Sequence, residues 1–272
     1  MTTHIRRFDT ASRRLHLVVM VSFLGLAATG LPLLFSDAGW ARVLMGLFGG
    51  FRGAGLFHRV LGATLLIAVA YHVANVLWRA VVRGERGLFW GPTSMVPQPS
   101  DFVQFGQQLR WFVGAGAPPR FEHFTYWEKF DYWAVLWGTL LMGAAGLVLW
   151  FPVAAAQLIP GWMFNVALFV HGAEAVLAIG FIFVVHFFNG HLRPGKFPMD
   201  LVIFTGAVSE PELREERAAE YARLVATGQL PELAVPQPSP ELIRKGRVIG
   251  SAGLSIGIAL VVLILYAVLR SS

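Results

Sequence analysis

The sequence predicts an all-α membrane protein, a four-helix transmembrane bundle followed by a fifth transmembrane helix. Composition is the first reason. Of 272 residues, 56% are hydrophobic and 14% charged, and the mean hydropathy of +0.59 is too high for an ordinary soluble domain. The length of the apolar runs is the second. A helix needs about 20 apolar residues to cross a bilayer, and five stretches qualify: 15–35, 56–80, 131–151, 165–188 and 248–269. The placement of charge is the third. Eighteen of the 22 Lys and Arg residues precede the first stretch or lie between the second and third or the fourth and fifth, leaving Arg42, Arg52, Arg59 and Arg270 on the other side. Cytoplasmic segments concentrate Lys and Arg. A multi-pass protein in a lipid bilayer is therefore expected, with its N-terminus in the cytoplasm and its C-terminus outside. The net charge of +6 then reflects topology and argues against nucleic acid as a partner.

The elements follow in order. "RRFDTASRRLH" is a basic cytoplasmic lead-in. The first span has no small-residue cleavage site and is expected to remain as a helix, not to be removed as a signal peptide. The Gly-rich loop 36–55 is external. In the cytoplasmic loop 81–130, the prolines of "GPTSMVPQPSDF" forbid one continuous helix, and "FVQFGQQLRWFV" reads as a short interfacial amphipathic helix. The loop 152–164 is external and carries no charge. Beyond the fourth span, "HLRPGKFPMD" is a turn-rich strap. "SEPELREERAAEYARLVATG" is a soluble helix with Ser209 as N-cap, Pro211 in its first turn and Gly228 past its end. "LPELAVPQPSPEL" is a linker. The fifth span carries Gly250, Gly253 and Gly257, small residues that let helices pack closely. Three parts result: a four-helix transmembrane domain (1–190), a cytoplasmic strap, helix and linker (191–247), and the fifth transmembrane helix (248–272).

The chain contains no cysteine. Disulfides, thiolate iron–sulfur or zinc sites and covalent c-type haem are thereby excluded. Histidine carries the chemistry instead. Of eight histidines, His58, His72, His171 and His186 fall inside spans, and His16 sits at the cytoplasmic edge of the first. Ionisable groups are costly in a bilayer and mark functional sites, although a lone one is about as often a hydrogen-bonded structural residue. The spacing shifts that balance. His58 and His72 are 14 residues apart and His171 and His186 are 15 apart, so each pair rotates by only about 40–60° and stays on broadly one helix face. Spans two and four run in the same direction. His58 and His171 therefore share an external depth, while His16, His72 and His186 share a cytoplasmic one.

Two imidazoles facing one another at one depth are what a six-coordinate haem b requires, with an axial nitrogen on each side of a flat apolar ring. Two such sites would lie roughly 20 Å apart along the membrane normal, one haem in each leaflet. Ligands four turns apart cannot share a single zinc ion.

Several segments carry a resemblance. "RRLHLVVMVSFLGLAATG", "FHRVLGATLLIAVAYH", "YWEKFDYWAVLWGTLLMGAAGLVLW" and "HGAEAVLAIGFIFVVHFFNGHLRPGKFPMD" are similar to segments of the membrane cytochrome b subunits of respiratory formate dehydrogenases and nickel–iron hydrogenases. The resemblance covers residues 5–200 and leaves out the fifth span. It implies one haem between His58 and His171 and another between His16 and His186. The chain departs from that pattern in two ways. His72 is an extra candidate at the depth of His186, and the fourth-span spacing is 15 where the family has 14. Spacings of 14 and 15 in two helices instead resemble the cytochrome b of quinol–cytochrome c and quinol–plastocyanin reductases. His16 and His72 thus compete for one ligand position, and a leftover histidine leaves room for a third haem.

Other polar groups are candidates of a weaker kind. His123, Glu128 and Asp131, beside the aromatics of "RFEHFTYWEKFDYW", and His191 in "NGHLRPGKF" could border a quinone pocket, against the plainer reading of an interfacial aromatic belt. Arg193 and Lys196 suit haem propionates or lipid phosphates. Glu174, one turn after His171, could relay a proton or simply bond a neighbouring helix. The expected protein is a di-haem b-type cytochrome in a bacterial-type cytoplasmic membrane. It would be the quinone-linked electron-transfer subunit of a respiratory oxidoreductase, without catalysis of its own. An iron–sulfur protein or multihaem cytochrome c would be its partner. The alternative from a different class is a proton-coupled transporter or membrane scaffold, although the inverted repeats and broken spans of transporters are absent from the sequence.

Overall fold

The computed structural model describes residues 3–271. The elements run β1 (His4–Arg6), α1 (Thr10–Leu34), α2 (Gly39–Leu47), α3 (Gly50–Val81), α4 (Pro99–Phe112), α5 (Tyr126–Trp150), α6 (Pro152–Ala155), α7 (Trp162–Gly180), α8 (Val202–Thr205), β2 (Ala207–Ser209), α9 (Glu210–Glu216), α10 (Ala218–Ala226), β3 (Ala234–Val235) and α11 (Pro240–Ser271). The protein is an all-α membrane protein. Five helices are long and apolar enough to cross a bilayer: Thr10–Leu34, Gly50–Val81, Tyr126–Trp150, Trp162–Leu192 and Pro240–Arg270. Each is longer than the apolar run that predicts it, because polar residues at one end or both extend the helix beyond the hydrocarbon-compatible stretch.

The fourth of these spans does not end as an α-helix. Beyond Gly180 the backbone widens into π-helical turns, Phe181–His186 and Phe188–Leu192. A π turn closes on the fifth residue instead of the fourth and so takes up one additional residue. This wider turn lies between His171 and His186. It offsets the extra residue of their 15-residue spacing, which on a regular helix would swing the second ring away from the first.

The contacts divide the chain into two compact units. One comprises Arg14–Tyr71, Val135–Asp200 and Arg247–Ser272. Its core joins Ala27 and Leu31 of α1, Ile179, Phe183 and Phe187 of the fourth span, and Leu260 and Ile264 of α11. Close approach rests on the glycines of α11. A Cβ at Gly257 would stand 2.6 Å from the Phe183 ring and 2.7 Å from that of Phe187, distances no side chain tolerates. Gly253 faces Met20 and Leu24 of α1. The fifth helix is thus packed into this unit and is not a detached anchor. Ile67, Leu140, Phe169 and Val262 are exposed, as befits side chains whose solvent is lipid.

The other unit comprises Met1–Arg13, His72–Ala134 and Leu201–Gly246. Here β1 is the middle strand of a three-stranded antiparallel sheet in the order β2-β1-β3, with Ile5 opposite Val208 and Ala234. Ile5, Val208, Leu213 and Leu224 form its small core. The expected single helix after Ser209 is two helices. Ser209 caps the first, accepting from the Glu212 N–H, and Pro211 occupies the first turn as expected. Arg217 leaves helical geometry (φ −128°, ψ 52°), and the Ala219 and Glu220 N–H groups that begin α10 both donate to the carbonyl of Phe121.

Candidate functional site

Four of the five histidines of the Arg14–Tyr71, Val135–Asp200 and Arg247–Ser272 unit meet in two pairs. His58 of α3 faces His171 of α7 with ring centres 6.2 Å apart. His16 of α1 faces His186, at the end of the first π turn, with ring centres 6.5 Å apart. All four are partly buried. A metal–imidazole bond is about 2 Å long and the ring centre lies about 1 Å behind its nitrogen, so imidazoles on opposite sides of one metal ion stand about 6 Å apart, centre to centre. Both pairs match that separation. A tetrahedral metal site would need further ligands, and the described residues contain no group of three or more His, Cys, Asp or Glu able to hold a metal ion. The donor set fits a metal that takes two protein nitrogens and finds its remaining ligands elsewhere, as haem iron does.

The surroundings of His58 and His171 fit the same requirement. Thr29 of α1 is fully buried, and its Oγ1 lies 3.0 Å from His58 Nδ1. The next residue is Gly30, where a Cβ would stand 3.0 Å from His58 Cε1. Gly146 of α5 plays the same part for His171, with a Cβ position 3.3 Å from its Cε1. Each ring therefore leans on a glycine of a neighbouring helix. His171 Nδ1 is buried, and the imidazole interacts with the Met142 backbone of α5. Glu174 packs on the same helix pair, its Oε1 3.3 Å from a Cβ at Gly138.

His72 is placed differently. Its Nε2 is hydrogen-bonded to Tyr132 Oη at 2.9 Å, with the rings edge to face. The imidazole opposite His186 is that of His16.

The quinone-pocket candidates separate. His123 and Glu128 are consumed by a network of charges in the unit formed by Met1–Arg13, His72–Ala134 and Leu201–Gly246. Arg7 Nη1 donates to Glu220 Oε2 at 2.5 Å and Arg7 Nη2 to the His123 carbonyl at 2.5 Å. His123 Nδ1 lies 2.5 Å from Glu220 Oε1 and 2.9 Å from Arg7 Nη1. One nitrogen cannot donate to a carboxylate and accept from a guanidinium at once. The carboxylate is the stronger claim, so Nδ1–H donates to Glu220 and the approach of Arg7 is a packing contact. Burial pushes the His123 imidazole below its ordinary pKa, and the Glu220 bond opposes this only in part. Burial would raise Glu220, but the His123 bond and the charges of Arg7 and Arg217 hold it below the usual carboxylate range. Glu128 accepts from Thr125 N–H and Oγ1 at 2.7 and 2.8 Å, a capping box that opens α5, and from Arg217 at 2.7 Å. Asp131 sits partly buried in the second turn of α5. His191 lies against the Phe187 ring at 5.9 Å, and its Nδ1 is buried without a hydrogen-bond partner among the described residues. Close by in sequence, Lys196 pairs with Asp200 at 3.0 Å.

Sequence reasoning alone passed over Thr29 as a partner of His58, and over Arg7, Arg217 and Glu220. The signal for Thr29 was a hydroxyl in a largely apolar span, which it shares with Ser22. The charged residues gave none, because their partners lie about 90 or more positions away in sequence. No family model matches the chain, and no curated protein matches it.

Proposed function

We propose that the chain is a di-haem b-type cytochrome, the quinone-linked electron-transfer subunit of a respiratory oxidoreductase. The observation that carries this reading is the pair of facing imidazole couples, His58 with His171 and His16 with His186, at 6.2 and 6.5 Å. His58 and His171 would hold one haem and His16 and His186 the other. Haem bound in this way supplies reversible one-electron chemistry. Thr29, Gly30 and Gly146 would orient the His58 and His171 rings. His72, bonded to Tyr132, is left out of the ligand set, so two haems are expected and not three.

Electrons would pass between a partner's redox centres and the quinone pool. The chain has no cysteine, so an iron–sulfur protein or multihaem cytochrome c must supply the soluble end. Among the four quinone-pocket candidates we assign the quinone contact to His191. Its buried Nδ1 is available, and it lies one wide turn after His186, whereas His123 and Glu128 are engaged elsewhere. The charge distribution supports a cytoplasmic N-terminus and an external C-terminus in a bacterial-type inner membrane.

A reduced-minus-oxidised spectrum of the purified protein tests the reading. Two non-covalent haems b per chain, extractable with acid acetone, are expected. A protein without b-type absorption would return the histidines to the transporter or scaffold reading.

A further inference from the structure

We propose that α4 lies along the lipid interface and that the groove beside it seats the phosphate of an anionic phospholipid. The helix Pro99–Phe112 is built inside out. The residues it buries are polar, Asp101 at 7% and Gln108 at 8% exposed, whereas Phe102, Phe105, Leu109 and Phe112 are 75%, 48%, 48% and 67% exposed. These four fall within about 80° of one another around the helix. A soluble helix places its apolar stripe inward, and an exposed one of this size marks an interaction surface. Lipid is the occupant that suits an outward apolar stripe on a chain with five candidate spans.

Two further contacts fix the level. Lys129 Nζ, in the first turns of the membrane helix α5, donates to both carboxylate oxygens of Asp101 at 2.9 Å. Trp133 Nε1 donates to the Met95 carbonyl at 3.0 Å. The start of α4 is thereby tied to the opening of α5. Fourteen residues are too few to cross a bilayer, so a helix held there lies along the surface.

Beside it runs a groove of about 620 Å³, lined by Ser100, Gln104, Gln107, Arg110, Gly116 and Arg120 among others. Its lining holds two guanidinium groups and no carboxylate. Guanidinium forks match phosphate oxygens. The groove residues Gln104, Gln107 and Arg110 lie on the side of α4 away from the stripe, so a stripe resting on acyl chains turns the groove toward the headgroup layer, where phospholipid is the abundant phosphate.

The absence of cysteine makes any introduced thiol unique. Nitroxide labels on Phe105→Cys, Leu109→Cys and Gln107→Cys would be read in nanodiscs of phosphatidylcholine, with and without phosphatidylglycerol. We expect the labels at 105 and 109 to be quenched by oxygen in preference to an aqueous nickel chelate, and the label at 107 the reverse. Native mass spectrometry should find phosphatidylglycerol retained by the parent chain. Retention should fall about five-fold for each of Arg110→Gln and Arg120→Gln, as expected for one surface charge near anionic lipid. Labels at 105 and 109 as open to nickel as the one at 107 would place the helix in water. Labels shielded from both quenchers would mean a protein covers it. Retention unchanged in the double variant, or lipid displaced by inorganic phosphate, would overturn the phospholipid groove.

Discussion

The Nδ1 of His58 stands 3.0 Å from Thr29 Oγ1, and that hydroxyl also lies 2.7 Å from the Gly25 carbonyl and 3.3 Å from that of Leu26. We assign the hydroxyl hydrogen to the shorter carbonyl contact, so that Thr29 accepts and His58 donates from Nδ1. That tautomer leaves the lone pair on Nε2, the nitrogen that would bind a metal. A hydrogen bond on the distal nitrogen also raises the basicity of a ligating imidazole. Thr29→Val keeps the shape and removes the acceptor. We expect the haem held by His58 to remain bound, with its midpoint potential raised by roughly tens of millivolts because the weaker donor favours the ferric state less. A redox titration resolving the two haems checks this, and an unchanged potential would show that Thr29 only packs.

Gly30 and Gly146 give each ring of that pair its seat. Added bulk at Gly30 must move His58, since even a Cβ would stand 3.0 Å from its Cε1. We expect Gly30→Val to lower occupancy of one haem selectively, with Gly30→Ala milder because a shift of a few tenths of an ångström suffices. Haem quantified against protein decides it. Full occupancy in the valine variant would refute the close approach.

The Arg7–His123–Glu220 cluster should make its unit sensitive to acid. His123 is held neutral, with its pKa below the ordinary value near 6.5, so the unfolded state binds the extra proton first. Its contribution to stability is complete above that value and is lost as pH falls through the folded pKa. Glu220 is depressed as well, and its contribution is lost on further acidification below the ordinary value of 4.5. Both effects have the same sign. Amide protection factors across residues 207–226, corrected for the intrinsic pH dependence of exchange, should fall between pH 7.5 and pH 5, and Glu220→Gln should flatten the response at the acid end. Protection that rose on acidification would contradict the assignment.

Asp101 and Lys129 form a buried pair, 2.9 Å apart and both 7% exposed. Removing one partner strands the other charge, which typically costs about 3–5 kcal/mol. Asp101→Asn should therefore lower the thermal midpoint clearly, and Asp101→Asn combined with Lys129→Met should recover much of the loss. A double variant no better than the single one would mean that Asp101 matters for its capping bond to the Gln98 N–H and not for its charge.

Apolar run length and charge placement were enough to read the five spans and the sense of α9, with Ser209 and Pro211 where the sequence puts them. The three-stranded sheet was not legible, because strands of two and three residues are too short for a period of two to register. The break at Arg217 was hidden because the residues around it are good helix formers, and the groups that meet it, the Phe121 carbonyl and the Glu128 carboxylate, are distant in sequence. The four paired histidines were legible as candidates. Their pairing came only from the family resemblance, since spacing gives depth and an approximate face but not which neighbouring helix a ring meets. A regular 100° step also misjudges a span that widens into π turns between His171 and His186. His72 was a rival because it shares the depth of His186, and its bond to Tyr132 is a tertiary contact that spacing does not reveal.

The central claim is the pairing of ligands, and haem content of five single variants tests it most directly. Each of His16, His58, His72, His171 and His186 would be replaced by Ala and the two b-type signals measured in the purified protein. We expect His58→Ala and His171→Ala to lose one and the same haem, His16→Ala and His186→Ala to lose the other, and His72→Ala to keep both, because its imidazole is bonded to Tyr132. Full haem content in His171→Ala and His186→Ala alike, or a haem lost jointly by His72→Ala and His186→Ala with His16→Ala intact, would contradict it.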